Sequence, residues 1–225
     1  MNMKGAILYY RRHLPHCQID NAYYFITYRL KDSLPQYLIN HLKTDYLTEK
    51  KIISAAFVGM ERKNQLYILQ KKYFGKFDYY LDRSLTCVNY LSDERIAKIV
   101  CDAMKFLDGK DYTLLSYCVM PNHVHMLIHV ERFLKPLYKT MQSIKRHTSR
   151  ESNKTLNLSG HFWEQESYDH IVRNYQELIN IKNYISNDPL KAGIIENLMS
   201  WKWKYNNSSI TYSPNSFYTH PLHKH

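Results

Sequence analysis

The stretch Tyr117 to Val130, which reads YCVMPNHVHMLIHV, constrains the fold more than any other part of the chain. It places His123 and His125 two residues apart inside an apolar and β-branched run. Because successive side chains of a strand point to opposite faces, the two imidazoles share one face. The preceding Pro121-Asn122 pair is typical of a tight turn between two strands. The sequence predicts a β-hairpin that presents two imidazoles together; the alternative is a partly exposed strand whose histidines have no special role.

The other elements follow from apolar periodicity and turn residues. Strands are predicted at Tyr23–Leu30, at Tyr112–Met120, at His123–Val130 and within Phe162–Val172. One or two helices are predicted within 39–60 and 66–77. Further helices are predicted from Ser92 to Leu107, from Phe133 to Arg150 and from Asn174 to Ser186, with Pro189 and Gly193 ending the last one. Residues 1–22 and 151–160 are expected to be irregular. We interpret 1–205 as one domain with a helical insertion around 39–90, followed by a flexible tail at 206–225.

Charge and composition narrow the classes of function. The chain of 225 residues carries 31 Lys and Arg against 20 Asp and Glu, a net charge of +11, which favours a polyanionic partner such as nucleic acid. Six glycines and the lack of a glycine-rich motif argue against a nucleotide phosphate loop. Four scattered cysteines indicate free thiols in a reducing compartment, and no apolar run has membrane-spanning length. We therefore expect a cytoplasmic protein without membrane contact.

The helix predicted at Phe133–Arg150 is rich in cations on the side away from its apolar stripe. A dense row of cations on one helix face suits contact with DNA phosphates, although a solvated face is the alternative. The candidate DNA-binding residues are Lys135, Lys139, Lys145, Arg146, His147 and Arg150.

The last predicted helix can complete the site of the histidine pair. Tyr184 and Asp188 lie four residues apart, so their side chains share one helix face. A carboxylate beside two imidazoles makes a candidate metal site of His123, His125 and Asp188, with the hydroxyl of Tyr184 next to it as a nucleophile. Such a mixed ligand set with open positions suits Mg²⁺ or Mn²⁺.

Four segments, in this order, resemble one family. They are RRHLPHCQIDNAYYFITYRL near the start, PNHVHMLI in the middle, FWEQESYDHIVRN later and NYISNDPLKAGII towards the end. Together they are similar to the REP-associated tyrosine transposases, which belong to the IS200-like, HUH single-tyrosine transposase superfamily. The resemblance extends over roughly residues 8–205.

The resemblance implies a role for each matching residue. His123 and His125 stand at the family's two histidine ligands, Tyr184 at its nucleophile and Asp188 at its third metal ligand. Asp188 departs from the Asn that the family more often has at this place. A formal charge there can tighten metal binding and lower the Lewis acidity of the bound ion.

The resemblance also implies a fold, a reaction and a partner. The fold is α+β, with an antiparallel sheet of four or five strands and helices on one face, as in the ferredoxin-like or RRM-like core of HUH nucleases. The reaction is metal-dependent cleavage and strand transfer of single-stranded DNA at REP-type hairpins through a 5′-phosphotyrosine intermediate. The resemblance further implies a monomer that associates with the nucleoid when bound to DNA.

Three alternatives stay open from the sequence. Tyr168 is a rival nucleophile, because Asp169 and His170 follow it directly. A protein of the same fold that binds DNA or RNA hairpins as a regulator, without catalysis, would share every feature except the need for Tyr184 and a metal. A metal-dependent hydrolase would use water in place of tyrosine.

Overall fold

The strand order of the main sheet places the predicted histidine hairpin at its centre. In the computed structural model, which describes residues 8–11, 15–83, 88–196 and 201–207, five strands form an antiparallel sheet in the order β6-β3-β5-β4-β7. The strands are β3 (Ala22–Arg29), β4 (Thr113–Val119), β5 (His123–Val130), β6 (Tyr168–Val172) and β7 (Lys204–Asn206). The predicted α+β class and the predicted size of the sheet are confirmed.

Strands β4 and β5 form the hairpin that the sequence predicts. Their register pairs Val119 with Val124 and Cys118 with His125, and Pro121 and Asn122 lie in the turn between them. The strands are buried along most of their length, which explains the continuous apolar run around the two histidines.

The pairing register divides the sheet into two faces. Partners in adjacent antiparallel strands point to the same side, so Thr27, His125 and Cys118 lie on one face. Their neighbours Ile26 and Met126 lie on the opposite face, in line with Tyr117 on β4.

Helices cover both faces, whereas the prediction placed them on one. Helix α3 (Glu94–Phe106) contacts β4 on the Met126 side, where the Cys101 thiol is hydrogen-bonded to Tyr117. Helix α4 (Leu137–Leu156) lies on the same side and encloses a small cavity together with Ile26. Helix α5 (Tyr175–Lys191) instead packs on β4 and β5 from the face of His125. This helix therefore lies on the histidine side of the sheet.

Two helix boundaries differ from the predicted ones for local reasons. Asp93 rather than Ser92 caps α3, since its carboxylate accepts a hydrogen bond from the backbone of Arg95. Helix α4 continues to Leu156, into the segment expected to be irregular, and ends where Asn157 adopts a left-handed conformation with φ of 53°.

Helix α5 begins where expected and ends later than predicted. The side chain of Asn174 accepts a hydrogen bond from the backbone N–H of Glu177 and caps its first turn. The helix continues through Pro189 to Lys191, and Gly193 follows with a φ of 68°. The extra residues bring Asp188 within the helix.

Residues Asp32–Asn89 form a separate compact unit, while the remainder of the chain forms the other. Within the first unit, α1 (Gln36–Ala56) and α2 (Gly59–Arg83) are joined by a two-residue connection and pack together. The Tyr46 and Tyr73 rings lie 4.8 Å apart. Of the one or two helices predicted here, the structure contains two. Helix α1 begins and ends earlier than expected, and α2 is longer than expected.

The ends of the described chain carry short strands. Strands β1 (Leu8–Arg11) and β2 (Pro15–Gln18) pair with each other in a segment expected to be irregular. Strand β7 pairs with β4, so Asn206 is ordered in the sheet, whereas residues 208–225 of the predicted tail lie outside the described residues. Among the residues that the structure describes, no helix is both long and apolar enough to cross a membrane.

Candidate active site

Three side chains from two elements converge on one point of the sheet. The Nε2 atoms of His123 and His125 lie 3.0 Å apart, and Asp188 Oδ2 lies 3.7 Å from the first and 3.4 Å from the second. All three residues are 0% exposed. Strand alternation places the two imidazoles, and the fold of α5 onto the same face places the carboxylate. The predicted proximity of residues that lie 65 positions apart in the sequence is thus found in the structure.

Hydrogen bonds at the far side of each ring orient the two imidazoles. His123 Nδ1 donates to Asn122 Oδ1 at 2.7 Å, and His125 Nδ1 lies 2.7 Å from the hydroxyl of Thr27. A ring that donates from Nδ1 keeps a lone pair on Nε2, and partners of this kind are what metal-binding histidines use. Both Nε2 lone pairs can therefore face the same point.

The carboxylate of Asp188 is buried at a place where the surrounding protein gives its negative charge little support from hydrogen bonds. Within the described chain, neither carboxylate oxygen accepts a hydrogen bond, and the residue lies in the last turn of α5, where the helix dipole disfavours a negative charge. Burial raises the pKa of its carboxyl, but His125 and His123 outweigh that effect and hold the pKa below its usual range. A divalent cation would satisfy the carboxylate and both imidazoles, so these residues fit a metal site.

Tyr184 lies one helical turn before Asp188, beside the histidines. Its ring is 5.4 Å from that of His125 and 6.1 Å from that of Phe25, and it meets both edge-on. The ammonium of Lys191 is 4.3 Å from the centre of the Tyr184 ring. The structure thus places a half-buried phenol and a cation next to the three candidate ligands.

Tyr168 shares the face of the histidines but lies farther across the sheet. It pairs with Thr27, which in turn pairs with His125, so about 10 Å separates the outer two backbones at ordinary strand spacing. Its ring stacks on that of His170, 6.4 Å away, and His170 is bound to Glu177 at 3.0 Å. Tyr184 is in ring contact with a candidate ligand, and Tyr168 stays the alternative nucleophile.

The predicted DNA-binding residues, of which Lys135 lies just before α4 and the others within it, divide into two groups. The ammonium of Lys145 donates to the backbone carbonyls of 164, 165 and 166, and Lys135 forms an ion pair of 2.6 Å with Asp111. Both cations already bind protein groups. The group with exposed side chains consists of Lys139, Arg146, His147 and Arg150, of which the last is bound to Glu151. These four follow one side of the helix at spacings of seven, one and three residues.

Sequence reasoning missed three residues of this site. Thr27 is identified only by the strand register, which the sequence does not reveal. Asn122 was assigned to the turn alone, although an amide directly before a histidine can reach its ring. Lys191 lies seven residues after Tyr184, so helical periodicity alone could have placed it on the same face.

Comparisons with known proteins agree with this geometry. Residues 87–188 match the family model described as "Transposase IS200 like". The match covers a little less than half of the chain. The matched segment runs from before α3 to Asp188 and therefore contains both histidines, Tyr168 and Tyr184.

Two individual proteins are similar to this chain. One is a Haemophilus influenzae protein named as a REP-associated tyrosine transposase, 23% identical over 126 residues, which are 51% of this chain and 68% of the relative. The other is a solved structure of a REP-associated tyrosine transposase bound to a REP hairpin. It has a TM-score of 0.47 and 14% identity, and the similarity covers 87% of this chain and 80% of that one. The resemblance predicted from the sequence motifs is confirmed.

Proposed function

We propose that this protein cleaves and rejoins single-stranded DNA at hairpins of the REP type, with Tyr184 as the nucleophile. The observation that carries the proposal is the convergence of His123 Nε2, His125 Nε2 and Asp188 Oδ2 within 3.7 Å of one another, beside the ring of Tyr184. An IS200-like domain with this arrangement supports a DNA transesterase.

The candidate ligands would hold Mg²⁺ or Mn²⁺. Two imidazole nitrogens and one carboxylate oxygen occupy one side of such an ion and leave positions for water or phosphate oxygens. The ion would polarise a phosphate oxygen and offset the negative charge that builds on the phosphate during transfer. Thr27 and Asn122 keep the imidazoles aimed at that ion.

The chemical step belongs to Tyr184. Its hydroxyl oxygen forms a bond to the phosphorus of the scissile phosphodiester, and the bond from phosphorus to the 3′ oxygen breaks. The proton that the phenol loses is balanced by the proton that the departing 3′ oxygen gains. The products are a 5′-phosphotyrosine and a free 3′-OH, and attack by another 3′-OH reverses the step and joins strands.

The rest of the protein supplies binding to DNA. The net charge of +11 and the exposed cations of α4 suit the phosphate backbone of a hairpin, with Lys139, Arg146, His147 and Arg150 as its first contacts. The name of the Haemophilus relative supports REP-type elements as the substrate. We propose that the protein acts as a monomer, in the cytoplasm and on the nucleoid.

The test is a covalent adduct. The protein is incubated with Mn²⁺ and end-labelled hairpins from the inverted repeats that flank its gene, and the products are separated on a denaturing gel. Wild type should form an adduct that Tyr184→Phe abolishes and Tyr168→Phe retains.

Two other results would identify the alternatives. Hairpin binding without an adduct would favour the non-catalytic regulator. Turnover without an adduct, with little effect of Tyr184→Phe, would favour the hydrolase.

A further inference from the structure

The helical unit Asp32–Asn89 contains a cavity of its own, between α1 and α2. Its volume is about 390 Å³, which lies in the range of sites for small ligands. The lining combines aromatic, cationic and carboxylate side chains around a glycine. The residues that matter here are His41, Asp45, Gly75, Lys76, Tyr79 and Tyr80.

Gly75 forms part of the wall of this cavity. It lies in the middle of α2, where glycine is less favourable than alanine. Packing does not require it, because a Cβ at this position would meet no atom within 4 Å. What the glycine provides is free space beside the helix backbone at the cavity.

Tyr79 offers an aromatic surface beside that space. Half of the residue is exposed to solvent. The guanidinium of Arg83 lies 3.8 Å from the ring centre, and the Tyr80 ring meets it edge-on at 5.5 Å. Arg83 is not among the residues that line the cavity.

The polar groups around the ring suit the other parts of a nucleotide. Lys76 is exposed and can bind a phosphate. The carboxylate of Asp45, which lies 3.7 Å from the His41 ring nitrogen, can accept a hydrogen bond from an exocyclic amino group of a base. Aromatic rings and cations together are the means by which proteins bind unpaired nucleotides.

We propose that this cavity binds an unpaired nucleotide, with the base stacked on Tyr79 and the phosphate at Lys76. The nucleotide can belong to the unpaired part of a DNA strand or be free. Only the choice of DNA as its source rests on the proposed function; the site itself follows from the lining of the cavity.

The test measures binding with EDTA present, so that cleavage does not contribute. Fluorescence anisotropy compares the full-length protein on a labelled hairpin with an unpaired loop and on the fully paired stem alone, and calorimetry tests the four free deoxynucleoside monophosphates. Tyr79→Ala should weaken binding to the looped hairpin by roughly 5- to 150-fold. Gly75→Leu, which adds a bulky side chain at the wall of the cavity, should have a similar effect and should not lower the melting temperature.

Matched variants separate the site from general effects. Gly75→Ala should raise the melting temperature and retain binding. Tyr37→Ala removes a different exposed tyrosine, which lies on α1 outside the cavity, and should not change binding. Loss of free nucleotide binding in Tyr79→Ala and Gly75→Leu would support a free nucleotide as a source. The proposal is overturned if Tyr79→Ala and Gly75→Leu bind both kinds of ligand as wild type does, whether or not Tyr184 forms an adduct.

Discussion

Two residues outside the candidate metal ligands, Thr27 and Asn122, orient the imidazoles of the site. Each binds the Nδ1 atom of one histidine at 2.7 Å and leaves the Nε2 atom for a ligand. Side chains of this kind commonly change metal affinity when they are replaced, because a free ring rotates and shifts its tautomer.

Thr27→Val should therefore weaken metal binding. We expect a loss of about 10- to 100-fold in Mn²⁺ affinity, measured by calorimetry on the full chain. Thr44→Val, on the surface of α1, is the matched control and should bind as wild type does. An unchanged affinity in Thr27→Val would mean that the hydroxyl does not orient His125.

Asp188 should make the stability of the metal-free protein depend on pH. The pKa of its carboxyl is lower in the folded state than in the unfolded state, where it is about 3.9. The ionised carboxylate therefore stabilises the fold above that pH, and this stabilisation is lost as the pH falls towards the folded-state pKa. With EDTA, Asp188→Asn should lower the free energy of unfolding more at pH 7 than at pH 3, because the attraction between the carboxylate and the two imidazoles is lost. Urea titrations at both values measure this, and an equal loss at both would contradict it.

The residue-level predictions from sequence succeeded where a local period decides position. Alternation on a strand puts His123 and His125 on one face, and a four-residue helical spacing puts Tyr184 beside Asp188. Thr27 could not be found in this way, because its position opposite His125 depends on the pairing of two strands that lie almost 100 residues apart.

At the level of elements, helix α5 carries both Tyr184 and Asp188, so its first turn supports the site. Asn174 caps that turn, and Glu177 accepts a hydrogen bond from the backbone of Arg173 and binds His170. Glu177 thus links strand β6 to the helix that carries Tyr184, the proposed nucleophile.

Asn174→Ala should lower the free energy of unfolding by about 1 kcal/mol, since the backbone N–H of Glu177 loses its partner. Asn174→Asp keeps an acceptor at the same place and should stay within a few tenths of wild type. Urea unfolding of both variants measures the difference. Equal stability of Asn174→Ala and wild type would show that the cap seen at 2.8 Å contributes nothing.

Helix α4 allows a direct test of which cations contact DNA. Replacing the exposed Lys139 and Arg146 by Gln should weaken hairpin binding and reduce the slope of log affinity against log salt by about 2. Lys145→Met should leave that slope unchanged and lower stability by about 1–3 kcal/mol instead, because three carbonyls lose their donor. The opposite pattern would assign the DNA contact to Lys145.

Element boundaries were predicted less well than element types, for reasons that the structure supplies. Asp93 competes with Ser92 for the cap of α3, and helix α4 continues through a polar segment because Thr148 and Ser152 are buried against the protein. Pro189 was taken as a helix end, whereas the last turn of α5 accommodates it.

For the whole molecule, the sequence does not reveal which face of the sheet each helix covers. Helices α3 and α4 lie on one face and α5 on the other, and only this arrangement brings Asp188 to the histidine side. Periodicity identifies an apolar stripe on a helix but not the face of the sheet that receives it. The family resemblance supplied the roles of the residues, and the structure supplied their proximity.

The central claim is that Tyr184, and not Tyr168, becomes covalently bound to DNA. Trypsin should release Tyr184 in the peptide Asn183–Lys191 and Tyr168 in the peptide Thr155–Arg173, so tandem mass spectrometry of a nuclease-trimmed adduct can distinguish them. The account predicts the added nucleotide mass on Tyr184, formed with Mn²⁺ and absent with EDTA. A nucleotide on Tyr168, or an adduct that forms equally well with EDTA, would contradict it.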